Sequence, residues 1–313
     1  MTTMKRIQYH EYGGPEVMRF EDFAPARPGT DEVLVRVRAA AANPMDWSIR
    51  NGEMKIMTGR KFPRGLGHDF AGVVEAVGDG VTRLGIGDEV LGGASIKAAG
   101  AFAEMVVAEA KGVVKKPASL SWEVAAAIPI VGLTARQAMI NKGKLQAGQA
   151  VFIHGCLGGV GRSAAQIALM QGASVGGSCR GTATQEARDL GIAPIVEFDF
   201  DASKLTGRFD IVFDTAGTLP IKAARTLLKP GGRIIAINPT PAKFARSILP
   251  GPYQVLIAKA VVADLEEVAR AAGKGALRPP IARTVPLSEA IAALTTLERN
   301  RTPKGGKLVI TTE

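Results

Sequence analysis

An apolar segment that runs straight into a cluster of glycines and out into a helical pattern leaves a chain few folds to choose from. Residues 149–154 read Gln-Ala-Val-Phe-Ile-His, a near-continuous apolar run of the kind expected for a strand buried on both faces of a parallel sheet. Gly155-Cys156-Leu157-Gly158-Gly159-Val160-Gly161 follows, and then Val160, Ala164, Ile167, Ala168 and Gln171 recur at helical spacing. Glycines at such a junction permit a tight turn and a close approach of backbone to an anion. The helix that follows offers unpaired N–H groups and a partial positive charge. The arrangement predicts a dinucleotide site with Gly155, Gly158, Gly159, Val160 and Gly161 against the pyrophosphate. The competing reading is a glycine loop that serves only helix–strand packing.

The same alternation continues beyond the loop. Strands are expected at 173–179, 194–198, 210–216, 232–238 and 254–259, and helices at 184–190 and 219–228, the last stopped by Lys229-Pro230-Gly231-Gly232. Alternating strands and helices mean an α/β fold with a doubly wound parallel sheet. The first 120 residues follow a different grammar. Residues 31–39 alternate apolar and charged, 71–77 form a second strand closed by Gly78-Asp79-Gly80, Gly87-Asp88 turns into a third, and 102–107 give a fourth. Short strands with glycine turns suggest a small barrel-like β domain. The tail is expected to hold a helix near 263–273, another at 287–298, and a strand from Lys307 to Thr311.

Charge and cysteine content narrow the function. With 39 Lys and Arg against 29 Asp and Glu, the chain carries +10, yet no basic run exceeds a pair and aromatics are only 5%. A nucleic-acid surface is therefore not expected, and the excess fits an anionic cofactor. Two cysteines exclude a disulfide scaffold and fit a reducing, cytoplasmic setting. There is no apolar leader and no apolar run long enough to span a membrane, so no membrane partner is expected.

About 20 residues past the glycine loop, an NAD-specific site carries an acidic residue on the ribose hydroxyls. Here the segment is Ser178-Cys179-Arg180-Gly181-Thr182, with no carboxylate of its own and with Arg180 able to pair with a 2′-phosphate. NADPH is the expected cofactor. The bland alternative makes Arg180 a solvated loop charge.

Several further segments, in order, now carry a resemblance: Tyr12-Gly13-Gly14-Pro15-Glu16-Val17, Asn43-Pro44-Met45-Asp46, Gly67-His68-Asp69-Phe70-Ala71-Gly72, Gly87-Asp88-Glu89-Val90, Gly132-Leu133-Thr134-Ala135, the glycine loop, and Leu228-Lys229-Pro230-Gly231-Gly232. Together they resemble the medium-chain dehydrogenase/reductase superfamily, in its zinc-independent quinone oxidoreductase (zeta-crystallin-like) branch. The resemblance implies a GroES-like β-rich catalytic domain at 1–122 and 264–313, split around a Rossmann domain at 123–263. It also implies a homodimer paired through a Rossmann edge, with Gln254-Val255-Leu256-Ile257-Ala258 as the candidate strand.

Zinc relatives hold a catalytic metal with a Cys, a His and a second Cys. This chain has Asn43 at the first position and no cysteine near Ile130–Gly132, so His68 alone cannot complete the three-ligand set. Without a Lewis acid an alkoxide is poorly served, whereas quinones and α,β-unsaturated carbonyls, being electron-poor already, need less help to accept hydride. The resemblance places Asn43, Asp46 and Ser48 on the catalytic side. Asn43 would orient substrate or ribose. Asp46 and Arg50 would pair as structural support. Ser48 stands where many quinone reductases carry Tyr, which leaves the proton donor open between solvent and a ribose hydroxyl. On the cofactor side the resemblance adds Thr134 and Val131 near the nicotinamide, Phe198 bordering adenine, Ala216 and Asn238 at strand ends, and Arg301 reaching in from the tail. Arg162 either helps the phosphates or faces solvent, Cys156 is read as a small packing residue, and His68 as a buried, hydrogen-bonded histidine.

The leading expectation is thus an NADPH-dependent, zinc-free reductase of quinones or enones. Two rivals stand beside it: a cofactor-binding sensor with little turnover, which the Ser48 departure favours, and a zinc-free carbonyl or alcohol dehydrogenase. Steady NADPH oxidation separates the first rival, and simple ketones in the acceptor panel separate the second.

Overall fold

The computed structural model describes residues 3–96, 99–237, 240–300 and 305–312. The chain divides into two compact units, one of Met1–Ile130 with Ala260–Glu313 and one of Val131–Lys259.

In the second unit six strands form one all-parallel sheet. Their spatial order is Ile195–Val196, Ser174–Ser178, Ala150–His154, Phe209–Asp214, Leu228–Ala236, Tyr253–Val255. Counted along the chain this is the order 3-2-1-4-5-6 of a Rossmann sheet. The central strands are apolar on both faces because both faces are covered: Val151, Phe152, Ile153, Ile211, Val212, Phe213, Ile234 and Ile235 are all buried. The helix Gly159–Met170 buries Ala164, Ala165, Ile167 and Ala168 on one stripe. Strand order reverses between Ala150–His154 and Phe209–Asp214, whose final residues His154 and Asp214 pair in register. A crevice opens beyond strand ends at such a reversal.

Several boundaries differ from the sequence reading: the strand expected at 194–198 is only Ile195–Val196, and the one expected at 102–107 is Met105–Glu109. The helix Ile221–Leu227 ends where expected, but the next strand begins at Leu228 rather than 232, with a register shift against Phe209–Asp214 and Gly231 at φ +78°. Lys229 bonds Asp210 at 2.8 Å and so keeps the glycine turn against the sheet. The expected strand 254–259 is only Tyr253–Val255, and a helix at Pro241–Ile248, capped by the Thr240 hydroxyl, precedes it.

The first unit holds a seven-stranded sheet. Along its main path lie Ile281–Pro286, Lys307–Thr311, Glu32–Ala41, Asp69–Val77, Glu89–Gly93 and Val113–Lys115, while Met105–Glu109 also pairs Glu32–Ala41. A second sheet joins Arg19–Phe23, Met4–Tyr9 and Arg64–Gly65. In Glu32–Ala41 the period of two puts Val33, Val35 and Val37 inward. One register decides the chemistry of this unit: Asp69 and Val309 both pair with Ala41. Lys307, two residues before Val309, and Asp69 are therefore delivered to the place where the chain leaves the strand at Asn43.

The helix Pro44–Arg50 follows at once, with Pro44 in its first turn, where a missing N–H costs nothing. Its last residue, Arg50, is buried and grips Glu298 of the helix Ala290–Asn300 with Nη2 at 2.8 Å from both carboxylate oxygens, while Nε donates to Gly13 O at 3.1 Å. Replacing Arg50 by Met strands Glu298 without its partner. Chemical denaturation of that variant is expected to show a loss of about 3–5 kcal/mol, the cost typical of breaking a buried pair from one side. A loss below about 1 kcal/mol would place Arg50 among surface ion pairs.

Candidate functional site

The crevice of the second unit is built on one turn. Gly155 takes φ +85°, a conformation open to glycine. Its N–H donates to both the carbonyl and the hydroxyl of Ser178, each at 3.1 Å, and Cys156 N donates to Ser178 O at 3.0 Å. Gly161 must also be glycine, because a side chain there would run into the carbonyl oxygen of Gly155 and come within 3.0 Å of Cys156 Cα. At Gly159 a β-carbon would meet Val131 Cγ1 at 3.0 Å. Gly158 differs: its φ of −67° suits any residue, and a β-carbon would meet only Gly155 O, at 3.4 Å. Gly158 is the N-cap of the helix Gly159–Met170 yet supplies no side-chain cap, which leaves the first N–H groups available to an anion. The empty face at Gly158 over a helix N-terminus fits a dinucleotide pyrophosphate.

Polar residues close the strand ends around this turn. His154 Nδ1 shares a hydrogen bond with the Ser178 hydroxyl at 2.8 Å, and Nε2 one with the Thr218 hydroxyl at 2.9 Å. Burial holds the imidazole pKa below its ordinary value; Asp214 opposes this and Lys243 adds to it. Thr215 donates to His154 O at 2.7 Å, and the N–H of Gly217 donates to Asp214 Oδ1 at 2.8 Å. Lys243, from the helix Pro241–Ile248, reaches Asp214 Oδ2 at 3.2 Å and the carbonyls of Gly217 and Leu219 at 2.8 and 3.0 Å. Ala216 lies inside this tied loop and is exposed. Phe198 is 42% exposed with its ring edge-on to His154, centroids 5.0 Å apart. Thr134 and Val131 lie buried in the helix Pro129–Arg136. Arg180 is exposed and N-caps the turn Gly181–Ala183. Arg162 pairs with Glu186, and its Nε is buried with no hydrogen-bond partner among the described residues. Cys156 is fully buried, and burial pushes its thiol up to about 12. Asn238 and Arg301 lie outside the described residues.

The first unit presents a second constellation, entirely buried. Asp46 Oδ2 accepts the backbone N–H of Asn43 at 2.7 Å, one half of a capping box, and its Oδ1 faces His68 Nδ1 at 2.6 Å. Asn43 Nδ2 donates to Ala41 O at 3.2 Å and to Asp69 Oδ2 at 2.9 Å. The ammonium of Lys307 donates to Asn43 Oδ1 at 2.5 Å and lies 3.9 Å from Asp69 Oδ2. Asp69 Oδ1 accepts Ile130 N at 3.1 Å. Burial raises the Asp69 carboxyl to about 6 against the pull of Lys307, and burial lowers the Lys307 ammonium against the pull of Asp69 and Asp46. His68 Nε2 is buried with no hydrogen-bond partner among the described residues.

Of the candidates named on the catalytic side, the structure thus joins Asn43 and Asp46 in one network and leaves Ser48, half-buried one helical turn along, outside it. The expected Asp46–Arg50 pair does not form. Asp46 is turned inward by its capping bond and by His68, while Arg50 runs outward to Glu298. Sequence reasoning missed Lys307. Its signal was a lone cation opening an otherwise apolar strand, which reads as a solvated end until the register with Ala41 is known. It also missed Glu197, whose carboxylate rests against Gly181.

Two family models match the chain: "Alcohol dehydrogenase GroES-like domain" over residues 29–118 and "Zinc-binding dehydrogenase" over 194–310. Among curated proteins, "Quinone-oxidoreductase homolog, chloroplastic" of Spinacia oleracea is 31% identical over 249 residues, 76% of each chain. "Quinone oxidoreductase" of Sus scrofa is 30% identical over 331 residues, 98% of each chain. Among solved structures, the quinone oxidoreductase from Coxiella burnetii superposes with a TM-score of 0.88 at 29% identity, covering 100% of both chains.

The buried pair generates a prediction of sign as well as size. Lys307→Met or Asp69→Asn alone leaves one partner buried without its counter-charge, and each should cost about 3–5 kcal/mol in denaturant unfolding. The double replacement should cost less than the sum of the two, as a double-mutant cycle measures. Because the folded carboxyl of Asp69 titrates near 6 against an ordinary 3.8, its stabilising contribution is complete below about 3.8 and is lost as pH rises through 6. That falling limb should be absent from Asp69→Asn in melting curves taken across this range; an unchanged limb would mean that another group carries it.

Proposed function

Because the chain belongs to the medium-chain dehydrogenase/reductase superfamily, in its quinone oxidoreductase branch, we propose that it is an NADPH-dependent, zinc-independent reductase of quinones or α,β-unsaturated carbonyl compounds. It is an oxidoreductase served by a nicotinamide dinucleotide, and the observation that carries this reading furthest is the glycine-lined cradle at the reversal of the parallel sheet. A bound nicotinamide supplies the hydride. The protein's work is then to hold the dinucleotide, orient the acceptor and keep water out.

Each candidate residue has a part in this reading. Gly155, Gly158, Gly159, Val160 and Gly161 seat the pyrophosphate on the helix N-terminus. Phe198 offers the adenine an exposed aromatic edge, and Arg180 pairs with the 2′-phosphate. Thr134, Ala216, Asn238 and Arg301 are assigned to the cofactor from the family pattern. Asn43 orients the acceptor or the ribose, held by the Lys307 ammonium and Asp69. Asp46 fixes the Asn43 backbone and the His68 ring, and Ser48 supplies the only hydroxyl of the helix Pro44–Arg50.

The zinc-independent reading rests on donor chemistry. A catalytic zinc needs three protein donors with free lone pairs. At the position of the first cysteine stands Asn43, whose oxygen already accepts from Lys307, and the ammonium there repels a second cation. These residues do not fit a zinc ion. The acceptor must then be electron-poor without Lewis-acid help.

The proposed homodimer uses the sheet edge at Tyr253–Val255. Near it in sequence, Ile248, Leu249 and Ile257 are exposed. A monomer in light scattering would remove that part of the reading.

The test is loss of NADPH absorbance with purified protein against quinones, enones and simple ketones, with NADH as the paired control. Turnover of quinones or enones, faster with NADPH, is expected. Arg180→Asp should weaken NADPH about tenfold or more, as loss of a charge-assisted bond does, and spare NADH. NADPH binding without turnover would return the chain to the sensor reading, and ketone turnover to the carbonyl dehydrogenase reading.

A further inference from the structure

The strand pair beside Arg180 brings in a residue that the local sequence does not contain. Ser174–Ser178 and Ile195–Val196 run parallel with Gly177 opposite Ile195 and Ser178 opposite Val196, and Cys179 N donates to Val196 O at 3.1 Å. Glu197 follows directly after the second strand and lies near enough to Cys179 for its charge to act on the thiol. The Glu197 carboxylate lies over Gly181, where a side-chain carbon on that glycine would collide with Oε1. Gly181 opens the turn Gly181–Ala183, which runs on into the helix Thr184–Asp189, so this carboxylate sits at the start of a helical segment. The other acid on this edge, Glu186, is held by Arg162. Glu197 is exposed and its neighbour Phe198 turns its ring to His154.

A carboxylate in this place accepts a hydrogen bond from a ribose 2′-hydroxyl and repels a 2′-phosphate. We infer that Glu197 is a cofactor-specificity residue that opposes Arg180: Arg180 attracts the 2′-phosphate, and Glu197 limits how far NADPH is preferred over NADH. The inference rests on the dinucleotide reading proposed above, and it goes beyond that reading by assigning the chain a modest rather than an exclusive preference, set by two opposed charges delivered from neighbouring strands.

Calorimetric titration with adenosine 2′,5′-bisphosphate and adenosine 5′-monophosphate tests this without turnover. Glu197→Gln is expected to tighten the bisphosphate about five- to tenfold and to leave the monophosphate within about twofold, the size of a solvent-screened charge contact. Glu197→Lys should tighten it further, and raised salt should shrink the difference between wild type and variant. Since Glu197 is exposed, melting curves of both variants should match the wild type, which confirms that the comparison is made on folded protein. An equal change in both ligands, or none in either, overturns the inference while leaving NADPH binding in place. If neither nucleotide binds the wild type or the variants, the dinucleotide reading itself fails and takes the inference with it. If the wild type shows no preference and Glu197→Gln acquires one, Glu197 is supported and the NADPH preference of the native chain is corrected.

Discussion

The turn at Gly155 is the constraint on which the nucleotide-binding half depends. A strand buried on both faces must end, turn within a few residues and start a helix that packs back on the sheet. The chain manages this only because Gly155 takes a positive φ and Gly161 lets the helix press against the Gly155 carbonyl. The same crowding explains why the open side of the turn is the Gly158 face. Every other direction is filled by Ser178, Thr215, Val131 or the chain itself. Function follows from packing here: what remains unfilled over the helix N-terminus has the shape and polarity for an anion.

In the other unit the organising interaction is electrostatic. Burying Lys307 and Asp69 together is costly unless each finds partners, and the pair finds them in Asn43 and the backbone of Ile130. Coupled to this is the Asp46–His68 contact, which shares Asn43 through its backbone. The result is a buried polar network at the start of the helix Pro44–Arg50.

Much of the fold was legible because it rests on local patterns. The alternation in 31–39 and the apolar run at 149–154 each state how many faces are covered, and the stop at Leu228 follows from the residues after it. The strands Met4–Tyr9, Arg19–Phe23 and Ile281–Pro286 were not legible. Their charged, irregular sequences pair through partners far along the chain. The same holds for chemistry. Asn43 and Asp46 are three residues apart and read as a unit, but Lys307 joins them across 264 residues through one antiparallel register. Arg180 was visible as a charge after a strand, whereas Glu197 enters only through the parallel register of the neighbouring strand. The Asp46–Arg50 pairing failed because helical spacing offers a pair without choosing it, and each side chain had a better buried partner.

Under the proposed function, the face at Gly158 is empty for the dinucleotide and not for the fold. Gly158→Asp separates the two. Asp is a favoured N-cap and its charge suits a helix N-terminus, so the variant should melt at or above the wild-type temperature. The same carboxylate fills the cradle with a like charge, and NADPH affinity in a fluorescence titration should fall at least about a hundredfold, or nearly 3 kcal/mol. A stable Gly158→Asp protein that binds NADPH as the wild type does would contradict the account.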